Sequence, residues 1–91
     1  MNHASTGVQM ELPTADLVFG VPRPQIWWDE HPEFRVVFEG IRESIKTVGM
    51  KKPLEVTLCP EKGYIVDVGN QRLQALLDLG IPTALCIVTK I

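Results

Sequence analysis

Cysteine and histidine are scarce in this 91-residue chain, with two of each. Cys59 and Cys86 lack C-x-x-C spacing and sit in separate β-like apolar runs. That speaks against a disulfide or a metal pair and for buried, reduced thiols in a cytoplasmic protein. Long hydrophobic runs are missing as well. None approaches the ~18–20 residues that a membrane-spanning helix needs. There is no basic excess either: the formal net charge is −2. This excludes a general nucleic-acid coat and leaves room for a local basic site. The opening MNHASTGVQM has no basic n-region and no apolar h-region, so residues 1–10 read as a flexible tail. A Ser/His/Asp constellation, a Walker-type loop and a secure carboxylate pair are all absent.

What is present is a globular composition, 45% hydrophobic and 22% charged. The length suits one small domain, taken as residues 11–91. A short apolar burst, Leu17 to Phe19, suits an edge strand closing at Gly20. The stretch VPRPQIWWDEHPEF carries prolines at 22, 24 and 32, and that punctuation predicts an extended connection. Adjacent Trp27 and Trp28 would then point to opposite sides, one packed and one free for a protein partner or a stacked base. Asp29, Glu30, His31 and Glu33 beside them are ligand types without a ligand spacing.

From Pro32 the pattern changes. Phe34, Val37, Phe38, Ile41, Ile45 and Val48 recur every three or four residues, which predicts an amphipathic helix ending at Gly49. PLEVTLCP and GYIVDV, joined by a PEKG turn, predict a hairpin. A second helix is predicted over 70–79, with Leu73, Leu76, Leu77 and Leu79 on or beside its buried face, before a last strand TALCIVTKI. The order is β-α-β-β-α-β, an α+β fold with a small mixed sheet and two packed helices.

The chemistry concentrates at GNQR, residues 69–72. A strand that runs through glycine into a helix start aims backbone amides at an anion. Gly69 permits close approach, Asn70 suits the N-cap, and Gln71 can read a ribose or base edge. Arg72 stands where an acidic residue is usual. It is either solvated or holds an anion with its guanidinium fork.

With ESIKTVGMKKPLEV, GYIVDVGNQRLQAL and LGIPTALCIV in that order, the chain resembles the ParB/sulfiredoxin-like superfamily over residues 11–91. The resemblance implies a phosphate-handling site for a nucleoside triphosphate with magnesium, or for a DNA phosphate. Gly69, Asn70, Gln71 and Arg72 would make the contacts, with Lys52 (or Lys51) reaching the same anion. It leaves room for slow phosphoryl transfer or nuclease-like phosphodiester chemistry. By likeness to superfamily kinases, Glu43 is a candidate base. Asp67 is a candidate metal ligand or base, although Val68 occupies the place directly before the glycine and Asp67 should face the other side of the strand. Asn70 replaces the cysteine of sulfiredoxins, which excludes peroxiredoxin repair. The chain also lacks the helix-turn-helix of partition proteins. The competing expectation is an inert module that regulates or inhibits a larger assembly through Trp27, Trp28 and its acidic surface. A homodimer is compatible with either.

Overall fold

The computed structural model describes residues 7–90. Five strands and three helices follow one another as β1 (Val8–Pro13), β2 (Leu17–Phe19), α1 (Gln25–Glu30), α2 (Pro32–Val48), β3 (Leu54–Cys59), β4 (Gly63–Val68), α3 (Asn70–Asp78) and β5 (Thr83–Lys90). The strands form one mixed sheet in the order β1-β5-β3-β4-β2. β3 and β4 make the expected antiparallel hairpin. β5 lies parallel to β3, and β2 is an edge strand parallel to β4. The fold is α+β, as the sequence predicts.

Two elements were not expected. Val8–Met10, assigned to a tail, belong to β1, where Val8 faces Val88 and Met10 faces Cys86 across an antiparallel ladder. Val8, Met10 and Leu12 alternate with Gln9 and Glu11, the two-residue period of a half-buried strand. The first six residues of the expected tail lie outside the described residues. The extended connection predicted for 21–34 is also corrected. Pro24 caps the start of α1, whose first-turn amide Trp27 N–H donates to the Pro24 carbonyl at 2.9 Å. Proline is compatible with a helix start, and no further proline intervenes before Pro32, so one and a half turns fit between them.

One face of the sheet is covered. Leu12, Leu17, Leu54, Val56, Val66, Ala84, Cys86 and Val88 meet Phe38 and Ile45 of α2 and Leu73, Ala75 and Leu76 of α3. Leu54 and Leu73 are wholly enclosed, and burial of each contributes roughly 1.5–3 kcal/mol. The predicted face of α2 is only half used, since Phe34, Val37 and Val48 remain exposed. Leu77 also faces outward, and Ala75 takes the interior position instead. Thr14, the one buried polar residue among the described core, donates its hydroxyl to the Ile81 carbonyl at 2.8 Å and so fastens β1 to the loop after α3.

Candidate functional site

Gly69 ends β4 and caps α3 in the left-handed region, with φ 107° and ψ 24°. A β-carbon there would lie 2.5 Å from Leu54 Cδ2 and 3.2 Å from Arg72 Nη2. Backbone sign and lack of space both demand glycine. The Leu73 N–H donates to the Gly69 carbonyl at 2.8 Å, so the first turn is regular. No side chain caps the helix and its first turn holds no acid. The N–H groups of Asn70, Gln71 and Arg72 therefore stand without an intrahelical acceptor at the positive end of α3. Just before it, Glu55 faces Val68 while Val56 faces Val66, which makes Asp67 the extra residue of a β-bulge.

Asn70 is not the cap and is not free for a ligand. Its side-chain oxygen accepts the N–H groups of Gly20 at 3.0 Å and Val21 at 3.2 Å, and its amide donates to the Val66 carbonyl at 3.0 Å. It locks the loop after β2 against the end of β4. Gly20 lies so close to Val66 that a β-carbon would fall onto its carbonyl oxygen. The question of Arg72 has a third answer besides solvation and anion binding. Its Nη1 donates to the Lys52 carbonyl at 2.8 Å and to that of Pro53 at 3.5 Å. The guanidinium is thus folded back beside Gly69, with further N–H donors to spare. Gln71 makes no side-chain hydrogen bond among the described residues and stays available.

These residues open onto a cleft of about 830 Å³. Phe19, Trp28, Ile41 and Val68 form apolar walls, the Val21–Pro24 loop forms a rim, and Gln71, Arg72 and Gln74 supply polar groups. Arg23 belongs to the same wall. Its guanidinium lies 4.2 Å from the Trp27 ring centre, and its Nη1 is enclosed without a hydrogen-bond partner among the described residues. A third cleft, of about 540 Å³, runs beside α2 past Ser44, Lys51 and Lys52 and meets the first at Arg72. A second, of about 300 Å³, adjoins the first at Arg23, Trp28 and Gln74.

No family model matches the chain, and no curated protein matches it. Solved structures do. Sulfiredoxin from Arabidopsis thaliana superposes with a TM-score of 0.69 at 21% identity, over 92% of this chain and 86% of its own. The fold is ParB/sulfiredoxin-like. The C-terminally truncated chromosome-partitioning protein ParB from Caulobacter crescentus, complexed with CTP-γ-S, gives 0.69 at 23% identity over 93% of this chain. A free serine kinase in complex with AMP gives 0.63 at 20% identity over 91%. The chain spans 46% of the ParB chain and 30% of the kinase chain.

Within this ParB/sulfiredoxin-like fold the sequence-derived candidates divide. Gly69, Asn70, Gln71 and Arg72 come together at the first cleft, Asn70 as a structural lock. Lys52 sits in the third cleft, exposed, and its carbonyl rather than its ammonium meets Arg72. Asp67 borders the first cleft, yet its carboxylate accepts a hydrogen bond from Thr57. Thr57 lies on the sheet face opposite the buried Val56, so the carboxylate is drawn away from the helices. Glu43 is exposed on α2 and lines none of the three clefts. Trp27 and Trp28 are both half-buried: Trp28 packs on Phe38 at 5.3 Å, and Trp27 stacks on His31 at 4.3 Å. The expectation that one of them is free is corrected, because α1 turns both inward against α2. Among the described residues no three His, Cys, Asp or Glu side chains cluster as a metal site. No helix among them is long and apolar enough to cross a membrane. Arg23 escaped the sequence reading. Its signal was an arginine held between two prolines, on a loop too stiff to let it wander.

Proposed function

We propose that this chain binds a nucleotide, with the ring and sugar in the first cleft and a phosphate at the N-terminus of α3. The carrying observation is the junction of three unengaged backbone amides and Arg72 with an apolar cleft large enough for a ring. Phe19, Trp28, Ile41 and Val68 would pack the base, Gln71 would read its edge or the ribose, and Arg23 and Arg72 would balance the phosphate charge. The nucleotide-bearing ParB and kinase structures support this reading, since both share the fold. Asp67 is the one carboxylate bordering the cleft and is engaged by Thr57, so the residues present do not fit a metal held by the protein. Magnesium would enter only on the phosphates. Glu43 stands away from the cleft, which favours binding over phosphoryl transfer or phosphodiester cleavage.

The test is a titration of the ¹⁵N-labelled chain with CTP, ATP, GTP, AMP and a short DNA, with and without magnesium. The amides of Asn70, Gln71 and Arg72 should move with one nucleotide, and Gln71→Ala should weaken binding without altering the fold. Arg72→Gln should abolish the response at some cost in stability, because Arg72 also holds the Lys52–Pro53 loop. If no nucleotide moves these amides, the reading fails. The alternative, a protein-interaction surface on α1 and the start of α2, draws on exposed Ile26 and Phe34 beside Trp27. It requires Ile26→Asp to release a partner while leaving nucleotide binding intact.

A further inference from the structure

The second cleft shares Arg23, Trp28 and Gln74 with the first but brings in Arg35, Glu39, Arg42 and Asp78, which the nucleotide reading does not use. Arg35, Glu39 and Arg42 follow one another at i, i+4 and i+7, which places them on one face of α2. α3 presents Gln74 and Asp78 towards the same space, and Arg23 and Trp28 close it from the side. Three guanidiniums thus surround about 300 Å³ with only two carboxylates, Glu39 and Asp78, on its walls.

The pairing within the cleft is incomplete. Asp78 holds Arg42 at 3.6 Å, the one salt bridge among the described residues, and also accepts from Gln74 Nε2 at 3.0 Å. Among the described residues Arg35 has no carboxylate within salt-bridge distance. The enclosed Nη1 of Arg23 has no hydrogen-bond partner among the described residues. An N–H removed from water and left unpaired is costly, so the Arg23 side chain gains from any small shift that brings an acceptor to it. Two of the three arginines also lie within cation–π range of an aromatic ring. Arg23 lies over Trp27 at 4.2 Å, and Arg42 lies 5.7 Å from the centre of Phe38. Such contact with a ring limits where the guanidinium can move, and its fork of N–H donors suits planar or tetrahedral oxyanions. The volume corresponds to roughly ten waters at ~30 Å³ each, ample for a phosphate or carboxylate group.

We infer that the second cleft is an oxyanion subsite, filled by a phosphate or carboxylate group held between Arg23, Arg35 and Arg42. Because it shares Arg23, Trp28 and Gln74 with the first cleft, one ligand can reach across both. The subsite does not require the first cleft to be filled, so it stands or falls separately from the nucleotide reading.

Inorganic phosphate is the probe, titrated into the ¹⁵N-labelled full chain while the Nε–Hε signals of the arginines are followed. Those of Arg23, Arg35 and Arg42 should shift together. Arg35→Gln, a surface change that spares the core, should weaken this response about tenfold, the loss of one charge-assisted bond, and Arg35→Lys should restore part of it. Arg72→Gln should leave it unchanged, even if nucleotide binding is lost. An equal response to sodium chloride at matched ionic strength would overturn the inference, as would a phosphate response that Arg35→Gln does not weaken. AMP then separates the two sources. If saturating AMP blocks the phosphate response, the group belongs to the ligand in the first cleft. If phosphate still titrates, a separate small acid occupies the subsite.

Discussion

Replacing Asn70 by alanine removes three hydrogen bonds from one side chain, and their environments decide the cost. Each such bond contributes about 1 kcal/mol net when its partners are left unpaired away from water. The Gly20 and Val21 amides are solvent-accessible, so water takes over much of that loss. The Val66 carbonyl is more enclosed but keeps the Gly20 N–H at 3.2 Å. A loss of about 1–2 kcal/mol results, which lowers the melting temperature by roughly 5–15 °C for a domain of this size. Asn70→Asp should cost less, because a carboxylate still accepts from both amides and suits a helix N-terminus. It should nevertheless repel a phosphate at the neighbouring amides. Gln74→Ala on the same helix breaks one exposed bond to Asp78 and should stay within about 0.5 kcal/mol. Urea unfolding gives the energies, and hydrogen exchange at Gly20 and Val21 shows where they act. Exchange at these two amides should quicken in the alanine variant before other sites change. Wild-type stability together with unchanged protection there would falsify the lock.

Gly69→Ala combines a left-handed residue with a β-carbon pressed on Leu54, so unfolding should become easier by about 2–4 kcal/mol in a urea titration. A cost below that of an ordinary surface change would mean that β4 and α3 meet differently. The N–H groups of Glu61 and Lys62 beside the Cys59 sulfur hold its pKa below the ordinary thiol value, whereas burial pushes that of Cys86 up. Iodoacetamide at neutral pH should therefore label Cys59 well ahead of Cys86, and equal rates read by mass spectrometry would contradict this. A raised folded pKa stabilises the fold below the unfolded thiol value, so the contribution of Cys86 should fade as pH climbs beyond it.

Much of the fold was legible because its signals are local. The three-and-four spacing from Phe34 to Val48 located α2, prolines 53 and 60 bracketed β3, and Gly69 and Gly80 bounded α3. The misses are tertiary. Val8–Met10 become a strand only because β5 offers them a partner. The residues of α2 obey a helical period, but only Phe38 and Ile45 are buried in the core, so Phe34, Val37 and Val48 stay uncovered. Asn70 and Arg72 were placed at the right spot, but the backbone contacts they make there were not foreseen. Their partners, Gly20 and Lys52, are 50 and 20 residues away in sequence, and no spacing rule reports such a contact. Arg23 was invisible for the same reason, since its significance lies in the cleft that α1 and α3 close around it.

The pairing of β1 with β5 sets Val8 directly opposite Val88 on one edge of the sheet. Two positions near the ends of the described residues are therefore neighbours, while the clefts are built by segments between them. A short linker could join residues 8 and 88 into a ring, which could then be reopened at the exposed Pro60–Lys62 turn without disturbing Gly69 or Arg23. By the same geometry, residues 8–88 could be spliced into a surface loop of another protein, entering and leaving at one place.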